Sequence, residues 1–174
     1  MRSIVYSVAA SLDGFIAGPK GEHDWIVQDP AIDFAAQWDR FDTLLMGRRT
    51  FEVALTRFAS IEKMGKKVIV VSTTLDAARH PAITVLGADF VPRIAALKAG
   101  KGQDIWLMGG GALFRAMLDA ALVDAVEVSV MPVLLGSGVP LIPPGASASL
   151  SLDDCSTTPM GILRTRYLAV QPPP

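Results

Sequence analysis

The chain has 174 residues, of which 51% are hydrophobic and 19% are charged, and its formal net charge at pH 7 is −1. These values are typical of one globular domain with a sizeable core, and they exclude an intrinsically disordered chain. They also exclude the global basic field that favours nucleic acids or anionic membranes, so we expect neither as a partner.

The cysteine and histidine content narrows the class of protein further. Cys155 is the single cysteine, so it cannot form an intramolecular disulfide, and the two histidines, His23 and His80, lie far apart in the chain. We therefore expect a cytoplasmic location and no metal. No apolar run reaches about 18 residues, so neither a membrane span nor a signal peptide is expected. We interpret 1–170 as a single domain and 171–174 as a proline-rich tail, because proline cannot extend a helix or an interior strand.

The first two thirds of the chain alternate between short apolar runs and helical patterns. In chain order these predict a strand at 3–10, a helix at 28–41, a strand at 43–47, a helix at 49–58, strands at 67–72 and 82–87, a helix at 89–100, a strand at 104–109 and a helix at 111–122. In the first helix, Asp29 is the expected N-cap and Pro30 the first helical residue. Strands that alternate with helices of this length predict a three-layer α/β/α fold with a mainly parallel central sheet.

The last third has a different pattern. Residues 125–135 alternate between apolar and polar, and 149–170 predict two strands around a turn at 159–161. We expect these segments to add antiparallel strands at one edge of the sheet. The loop 132–145 between them is rich in apolar side chains, which either pack on the chain's own core or form a two-fold interface.

Three turns at the carboxyl ends of the predicted strands carry groups that suit phosphate. An open parallel sheet binds its ligands at that edge. In "MGRRTFE" (46–52), Gly47 precedes a helix start, where unpaired N–H groups meet Arg48, Arg49 and the Thr50 hydroxyl. Alone, this segment is equally well explained as a capped helix with two solvated arginines.

The other two turns are weaker signals individually. In "VSTTLDAAR" (71–79), Ser72 and Thr73 follow a strand, and capping of the next turn is the favoured explanation when the segment is judged alone. In "MGGGALF" (108–114), three glycines precede a helix, but Phe114 stands where the usual dinucleotide fingerprint needs glycine.

Together, these segments support a family assignment. The sequence resembles the dihydrofolate reductase superfamily, and more closely the branch named after the C-terminal reductase domain of the riboflavin-biosynthesis enzyme RibD. The resemblance covers nearly the whole chain and rests on "SLDGFIAG" (11–18), Trp25, "LLMGRRTFE" (44–52), "VVSTT" (70–74), "WLMGGGALF" (106–114) and "PVLLGSGVPLI" (132–142).

The resemblance implies an NADPH site. By position, Ala9 and Ile16 would line the nicotinamide, and Ser72 and Thr73 would support the adenosine end. The remaining cofactor positions are Gly47, Arg48, Arg49 and Thr50 at the 2′-phosphate and pyrophosphate, with Arg48 as the main 2′-phosphate partner, and Gly109, Gly110, Gly111 and Ala112 at the pyrophosphate.

The substrate side is much less specified. Dihydrofolate reductases carry an acidic residue on the first helix, and the matching position here falls near Ala31, between Asp29 and Asp33. We take Asp33 and Asp13 as the candidate catalytic carboxylates, although Asp33 also suits a solvated helix face and Asp13 a β-turn with Gly14.

Two further residues are candidates for substrate contact. Ser11 is the first, because "SLDG" is retained from the family. Trp25 is the second, and it would pack either over the substrate ring or in the core.

The resulting prediction is an NADPH-dependent oxidoreductase that transfers a hydride to a small heterocycle of the pterin or pyrimidine kind. One alternative is the 5-amino-6-(5-phosphoribosylamino)uracil reductase of riboflavin biosynthesis. The other is a non-catalytic nucleotide-binding protein. The resemblance also favours a homodimer.

Overall fold

The computed structural model describes residues 1–57 and 65–170. The proline-rich tail at 171–174 and the last residue of the helix expected at 49–58 lie outside the described residues. In chain order the strands are β1 (Ile4–Ser11), β2 (Phe15–Ala17), β3 (Phe41–Gly47), β4 (Lys67–Val71), β5 (Thr84–Leu86), β6 (Asp104–Gly109), β7 (Ala125–Met131), β8 (Val139–Pro140), β9 (Leu150–Thr157) and β10 (Leu163–Ala169). The helices are α1 (Phe34–Asp39), α2 (Arg48–Arg57), α3 (Phe90–Ala99) and α4 (Gly111–Asp119).

Eight of these strands form the central sheet, in the spatial order β5-β4-β3-β6-β1-β7-β10-β9. The first six in this order run parallel to their neighbours, whereas β10 is antiparallel to both β7 and β9. β2 and β8 pair in a separate two-stranded sheet. The predicted parallel sheet with antiparallel pairing at its C-terminal edge is confirmed.

Apolar side chains on alternate residues of the central strands build a core on each face. Leu45 of β3 packs with residues of α3 and α4, whereas its neighbours Leu44 and Met46 pack with residues of α2 on the opposite face. Because successive side chains of a strand point to opposite faces, this alternation places helices on both sides of the sheet. The three-layer arrangement is therefore also confirmed.

The first helix begins later than predicted. α1 starts at Phe34, and its N-cap is Asp33, whose carboxylate accepts a 2.9 Å hydrogen bond from the Ala36 amide. Asp29, the expected cap, is buried and accepts from the backbone amides of Ala31 (2.9 Å) and Met160 (3.1 Å). A contact with the distant β9–β10 turn has thus fixed Asp29 in a separate turn, which no local helix pattern reveals.

The apolar loop at 132–145 divides between core and surface. Leu141 and Ile142 pack against the larger core cluster, and the buried Tyr6 hydroxyl donates a 3.1 Å hydrogen bond to the Leu141 carbonyl. Leu134, by contrast, is 68% exposed. Packing on the chain's own core therefore explains Leu141 and Ile142, whereas the two-fold interface stays a prediction. Within the described part of the chain, no helix is long and apolar enough to cross a membrane.

Candidate functional site

Two helix N-termini lie side by side at the carboxyl edge of the sheet. β3 ends at Gly47 and passes directly into α2, and β6 ends at Gly109 and passes through Gly110 into α4. β3 and β6 are neighbouring strands, so the two turns meet, and a Cβ placed on Gly47 would lie 3.7 Å from the Gly110 nitrogen. The first N–H groups of each helix have no partner within the helix and carry the positive end of its dipole.

The three consecutive glycines occupy different environments. Gly109 has φ +125°, a conformation that L-residues with side chains rarely adopt. Gly111 is packed so tightly that an added Cβ would lie 3.0 Å from the Pro140 oxygen. At Gly110 the nearest atom to an added Cβ would be the Thr50 hydroxyl oxygen, at 3.7 Å. The chain's own packing therefore does not require a glycine at 110, and no side chain caps α4. Both facts fit a bound phosphate at this position.

The side chains at the start of α2 complete an anion-binding surface. The exposed Arg48 guanidinium lies 3.1 Å from a Glu52 carboxylate oxygen one helical turn away. An exposed ion pair of this kind contributes little stability, so Arg48 can turn to another anion at small cost. Arg49 is also exposed, and it makes no hydrogen bond or ion pair with any described residue. The residues present therefore fit the phosphates of a dinucleotide.

Ser72 and Thr73 follow β4, the strand on the other side of β3. The Ser72 hydroxyl accepts hydrogen bonds from the backbone amides of Thr74 (3.1 Å) and Leu75 (3.0 Å), which is the capping role that the sequence favours. Thr73 is exposed. Both residues lie at the same sheet edge as the glycine-lined turns, one strand further from β6.

Ala9 and Ile16 lie on the other side of β6. Ala9 is half-buried on β1 and, like Trp25, packs against the buried cluster of Ile32, Met131 and Ile162. The Trp25 indole N–H donates to the Glu22 carbonyl (3.1 Å), which fixes the orientation of the ring. Ile16 is half-buried on β2. Ala9 and Trp25 therefore pack against the same apolar cluster, and the contact of Ala9 and Ile16 with a nicotinamide stays a prediction.

Ser11 and Asp13 hold two loops together. The buried Ser11 hydroxyl donates a 2.6 Å hydrogen bond to the Asp13 carboxylate, which also accepts from the amides of Leu135 (3.1 Å) and Gly136 (2.7 Å). The Ser11 hydrogen bond, with these backbone donors, lowers the pKa of Asp13. A carboxylate that is ionised and saturated with donors is poorly suited to deliver a proton, so this geometry favours the turn explanation.

A polar cavity of about 300 Å³ lies between α1 and the sheet, and the sequence did not reveal it. Its lining residues are Ser7, Gln37, Arg40, Glu127, Val128, Ser129, Asp154, Ser156, Arg164, Thr165 and Arg166. The sequence did contain an indication of this cavity, namely the polar residues at alternate positions of "AVEVSVM" and "LRTRYLA". Such alternation ordinarily indicates a solvated sheet face, and only the placement of α1 turns that face into a cavity.

Glu127 is the best-connected acid in this cavity. Arg40 donates to both of its carboxylate oxygens, at 2.7 and 3.2 Å, and Arg166 donates as well. Burial opposes ionisation of Glu127, but the hydrogen bonds and charges of the two arginines outweigh it and lower its pKa. Glu127 is therefore a fixed anion that orients both arginines.

Comparisons with known proteins agree with this architecture. The family model described as the RibD C-terminal domain matches residues 2–163. The uncharacterised protein YyaP of Bacillus subtilis is 34% identical over 151 residues, which cover 80% of this chain and 80% of YyaP. The riboflavin biosynthesis protein RibD of Corynebacterium ammoniagenes is 26% identical over 155 residues, which cover 80% of this chain but only 45% of that protein.

Solved structures show the same fold. A putative riboflavin biosynthesis protein from Shewanella sp. PV-4 superposes with a TM-score of 0.81 and 30% identity, covering 98% of this chain and 100% of the other. A dihydrofolate reductase from Enterococcus faecalis, complexed with NADP(H), superposes with a TM-score of 0.66 and 16% identity over 97% of both chains. The dihydrofolate reductase-like fold expected from the sequence is thus confirmed.

Proposed function

Because this chain belongs to the RibD C-terminal domain family, we propose that it is a reductase of that type, which uses NADPH to reduce a small heterocyclic substrate of the pterin or pyrimidine kind. The observation that carries the proposal is the pair of adjacent helix N-termini lined by Gly47 and Gly109 to Gly111, with exposed arginines beside them. The structural neighbour complexed with NADP(H) supports the choice of cofactor class.

The residues at the sheet edge would hold the cofactor along its length. The backbone from Gly109 to Ala112 would bind the pyrophosphate at the uncapped start of α4. Arg48, with Arg49 and Thr50, would bind the 2′-phosphate, since a guanidinium suits the bidentate geometry of phosphate.

At the other end, Ala9 and Ile16 would pack against the nicotinamide and exclude water. When bound, the cofactor supplies the hydride. The protein's contribution is to fix the distance and angle between the nicotinamide ring and the ring of the substrate.

The proton that accompanies the hydride needs a separate source. Asp13 and Asp33 are the two predicted catalytic carboxylates, and Asp13 is occupied in holding the loop at Leu135 and Gly136. We propose that Asp13 and Ser11 position the loops of the site. Asp33 stays as our candidate for handling the proton, because it is exposed at the start of α1, and Gln37 of that helix and Arg40 just after it line the cavity.

The similarity to the Corynebacterium ammoniagenes riboflavin biosynthesis protein favours a second candidate activity, the reduction of 5-amino-6-(5-phosphoribosylamino)uracil. Turnover of that compound, compared with dihydrofolate, would discriminate between the candidates. Saturable NADPH binding without turnover of any acceptor would favour the non-catalytic nucleotide-binding alternative. We also propose a cytoplasmic location, which the single exposed thiol of Cys155 suits.

We further propose that the protein is a homodimer. Every residue of β9 is exposed, and the β9–β10 hairpin presents the exposed apolar side chains Leu150, Leu152, Leu163 and Leu168. A long uncovered edge strand is prone to pair with another chain, and in a two-fold dimer the same strand of each copy can do so. The hairpin is therefore a stronger candidate interface than the loop at 132–145.

The function is tested by titrating the protein with NADPH and NADH and following tryptophan fluorescence. We expect saturable binding of NADPH, and Arg48→Ala should weaken it by about tenfold or more, because a charge-assisted hydrogen bond is lost, while leaving NADH binding nearly unchanged. Arg93→Ala is a matched control, since Arg93 forms the same kind of exposed ion pair with Asp89, at 3.0 Å, on α3. Absence of NADPH binding would overturn the proposal, and equal loss for both cofactors would overturn the role of Arg48.

A further inference from the structure

An ion pair joins the first residue of α2 to the residue one helical turn later. The Arg48 Nη1 atom lies 3.1 Å from the Glu52 Oε1 atom, and the two side chains are 46% and 50% exposed. Among the described residues, the side chains of Arg48 and Glu52 have no other hydrogen-bond or ion-pair partner. The guanidinium that we propose binds the 2′-phosphate is therefore already engaged by a carboxylate of the chain itself.

The placement of this pair does not favour the helix. Arg48 is the first residue of α2, so its charge faces the positive end of the helix dipole. An arginine four residues before a glutamate also has the less favourable order for such a pair. The first turn of α2 contains no acidic residue, and Glu52 lies beyond that turn, where the effect of the dipole has fallen off. Helix stability therefore does not explain the pair, and we relate Glu52 to the function of Arg48.

A phosphate bound to Arg48 would also meet the charge of Glu52. A phosphate monoester carries about 1.5 to 2 negative charges at pH 7, and residues four apart on a helix have Cβ atoms about 5–6 Å apart. Arg48 would then either leave the carboxylate or share its guanidinium between two anions. In the first case the ion pair is lost and Glu52 repels the phosphate, and in the second case the bidentate contact with the phosphate is weakened. Glu52 therefore opposes phosphate binding in both cases.

We propose that Glu52 competes with the 2′-phosphate of NADPH for Arg48, and that it thereby lowers the preference for NADPH over NADH and speeds the release of NADPH. This inference rests on the proposed function, because it takes Arg48 as the 2′-phosphate partner. NADH has a hydroxyl in place of that phosphate, so it does not need Arg48. Glu52 acts through Arg48 and is a positioning residue. The oxidised cofactor carries the same 2′-phosphate, so Glu52 would speed its release as well.

Glu52→Gln removes the charge and keeps the size of the side chain. We expect this variant to bind NADPH about three- to tenfold more tightly in a fluorescence titration, since it loses both the competing ion pair and the repulsion. The gain should appear as slower dissociation in stopped-flow measurements, because most affinity changes at one site are changes in the dissociation rate. The dissociation constant of NADH should change by less than about twofold, since NADH lacks the 2′-phosphate.

Asp89→Asn is the matched control, because it makes the same change in net charge and removes the exposed pair with Arg93 (3.0 Å) on α3. It should alter the binding of neither cofactor. Equal or weaker NADPH binding by Glu52→Gln would overturn the proposal. The same tightening in Asp89→Asn, or for NADH, would also overturn it, because that would report only the net charge of the protein.

Arg48→Ala tests whether Glu52 acts through the arginine. When Arg48 is already absent, no ion pair is left to compete with the phosphate, so Glu52→Gln should lose most of its effect on NADPH binding. An effect as large as in the presence of Arg48 would overturn the proposal, because it would come from repulsion alone.

Adenosine 2′,5′-bisphosphate separates this inference from the proposed function, because it carries the 2′-phosphate without the nicotinamide. If NADPH binds but Glu52→Gln tightens neither ligand, the role of Glu52 is wrong and the cofactor site is unaffected. If Glu52→Gln tightens the bisphosphate but NADPH does not bind, the competition at Arg48 is supported and the assignment as an NADPH-dependent reductase is wrong. Binding of neither ligand would overturn both proposals.

Discussion

At the scale of single residues, the absence of a side chain has a separate cause at each of the three consecutive glycines. Gly109 needs its φ of +125°, Gly111 needs room beside the carbonyl oxygens of Pro140 and Leu141, and Gly110 needs neither. We relate Gly110 instead to the phosphate that we propose binds at the start of α4. A run of glycines is better analysed residue by residue than as one flexible turn.

Gly111→Ala should destabilise the fold. The new methyl group would lie 3.0 Å from the Pro140 oxygen and 3.2 Å from the Leu141 oxygen, and these are backbone atoms that cannot turn away. Overpacking of this kind costs about 1–3 kcal/mol, which exceeds the gain of up to about 1 kcal/mol from alanine in a helix. We expect a net loss of about 1 kcal/mol in the free energy of unfolding, measured with urea.

Gly87→Ala is the matched control for this measurement. Its methyl group would lie 3.7 Å from an Asp89 carboxylate oxygen, an ordinary contact, and the backbone at Gly87 is not in the left-handed region. We expect a change within about 0.5 kcal/mol. Equal stability of the two variants would show that the chain around Pro140 yields to the added methyl.

At the scale of elements, a carboxylate far from the helix decides where α1 begins. The Asp29 carboxylate joins residues 29–31 to the turn between β9 and β10, through the Thr158 hydroxyl and the Met160 amide. The chain from Asp29 to Asp33 is thereby held as a turn, and α1 is left with six residues. The position of α1 over the cavity thus depends on the hairpin at the opposite end of the sequence.

Asp29 should make stability depend on pH in the acid range. The Thr158 hydrogen bond and the backbone donors lower its pKa below the ordinary value of 3.8, so the folded state favours the ionised form. This contribution is complete above about pH 5 and is lost as the pH falls through 3.8 towards the folded-state pKa. In thermal unfolding curves between pH 3 and 7, Asp29→Asn should therefore lose less stability on acidification than the unaltered protein.

Asp76→Asn provides the comparison for this pH profile. Its carboxylate accepts from the Ala78 amide (3.0 Å) in an exposed turn of 3₁₀ helix at Ala77–Arg79, far from the hairpin. That variant should keep the steeper slope of the unaltered protein. Parallel curves for the unaltered protein and Asp29→Asn would show that Asp29 does not contribute to the acid sensitivity.

At the scale of the whole molecule, the sheet is covered at one end and bare at the other. Helices cover both faces of β3, β6 and β1, but β9 is exposed along its entire length. The chain has a mass of 18.5 kDa, so a dimer would elute with about twice that mass. An exposed apolar hairpin at the bare end is what the proposed homodimer would bury.

Leu152→Asp should convert the dimer into a monomer, as measured by sedimentation equilibrium. Leu152 is 58% exposed, so a charge there is tolerated by the fold but costs binding energy when an apolar interface desolvates it. Leu134→Asp is the matched variant in the loop at 132–145, and it should remain dimeric. If only Leu134→Asp dissociates, the loop is the interface, and a monomeric unaltered protein would contradict the homodimer itself.

The sequence was sufficient to predict those elements whose position is determined by residues close to them in the chain. β6 is predicted with its observed bounds, Asp104–Gly109, because a buried parallel strand is almost continuously apolar. α3 (Phe90–Ala99) lies within one residue of both ends of the helix predicted at 89–100, since glycine and aspartate mark helix ends locally. The glycine turns at Gly47 and Gly109 are adjacent because parallel order alone brings strand ends together.

The sequence was insufficient to predict those features that depend on contacts with residues far away in the chain. Asp29 has the right residue type and spacing for an N-cap, but its partners are Thr158 and Met160, about 130 residues away. β2 and β8 have three and two residues, too few to show a period. Arg164 and Glu127 resemble solvated strand residues until α1 is placed over them.

The position of β1 between β6 and β7 has a consequence for how such a protein can diverge. The groups of the proposed nucleotide site at the ends of β3, β4 and β6 come from residues 47–112, whereas most of the cavity's polar groups come from residues 127–166, and β1 lies between the two sets of strands. Because the segments are separate along the chain, inherited substitutions can accumulate in one without altering the other. Under the proposed function, a lineage could thus acquire a new acceptor molecule through residues 127–166 while keeping the proposed nucleotide site.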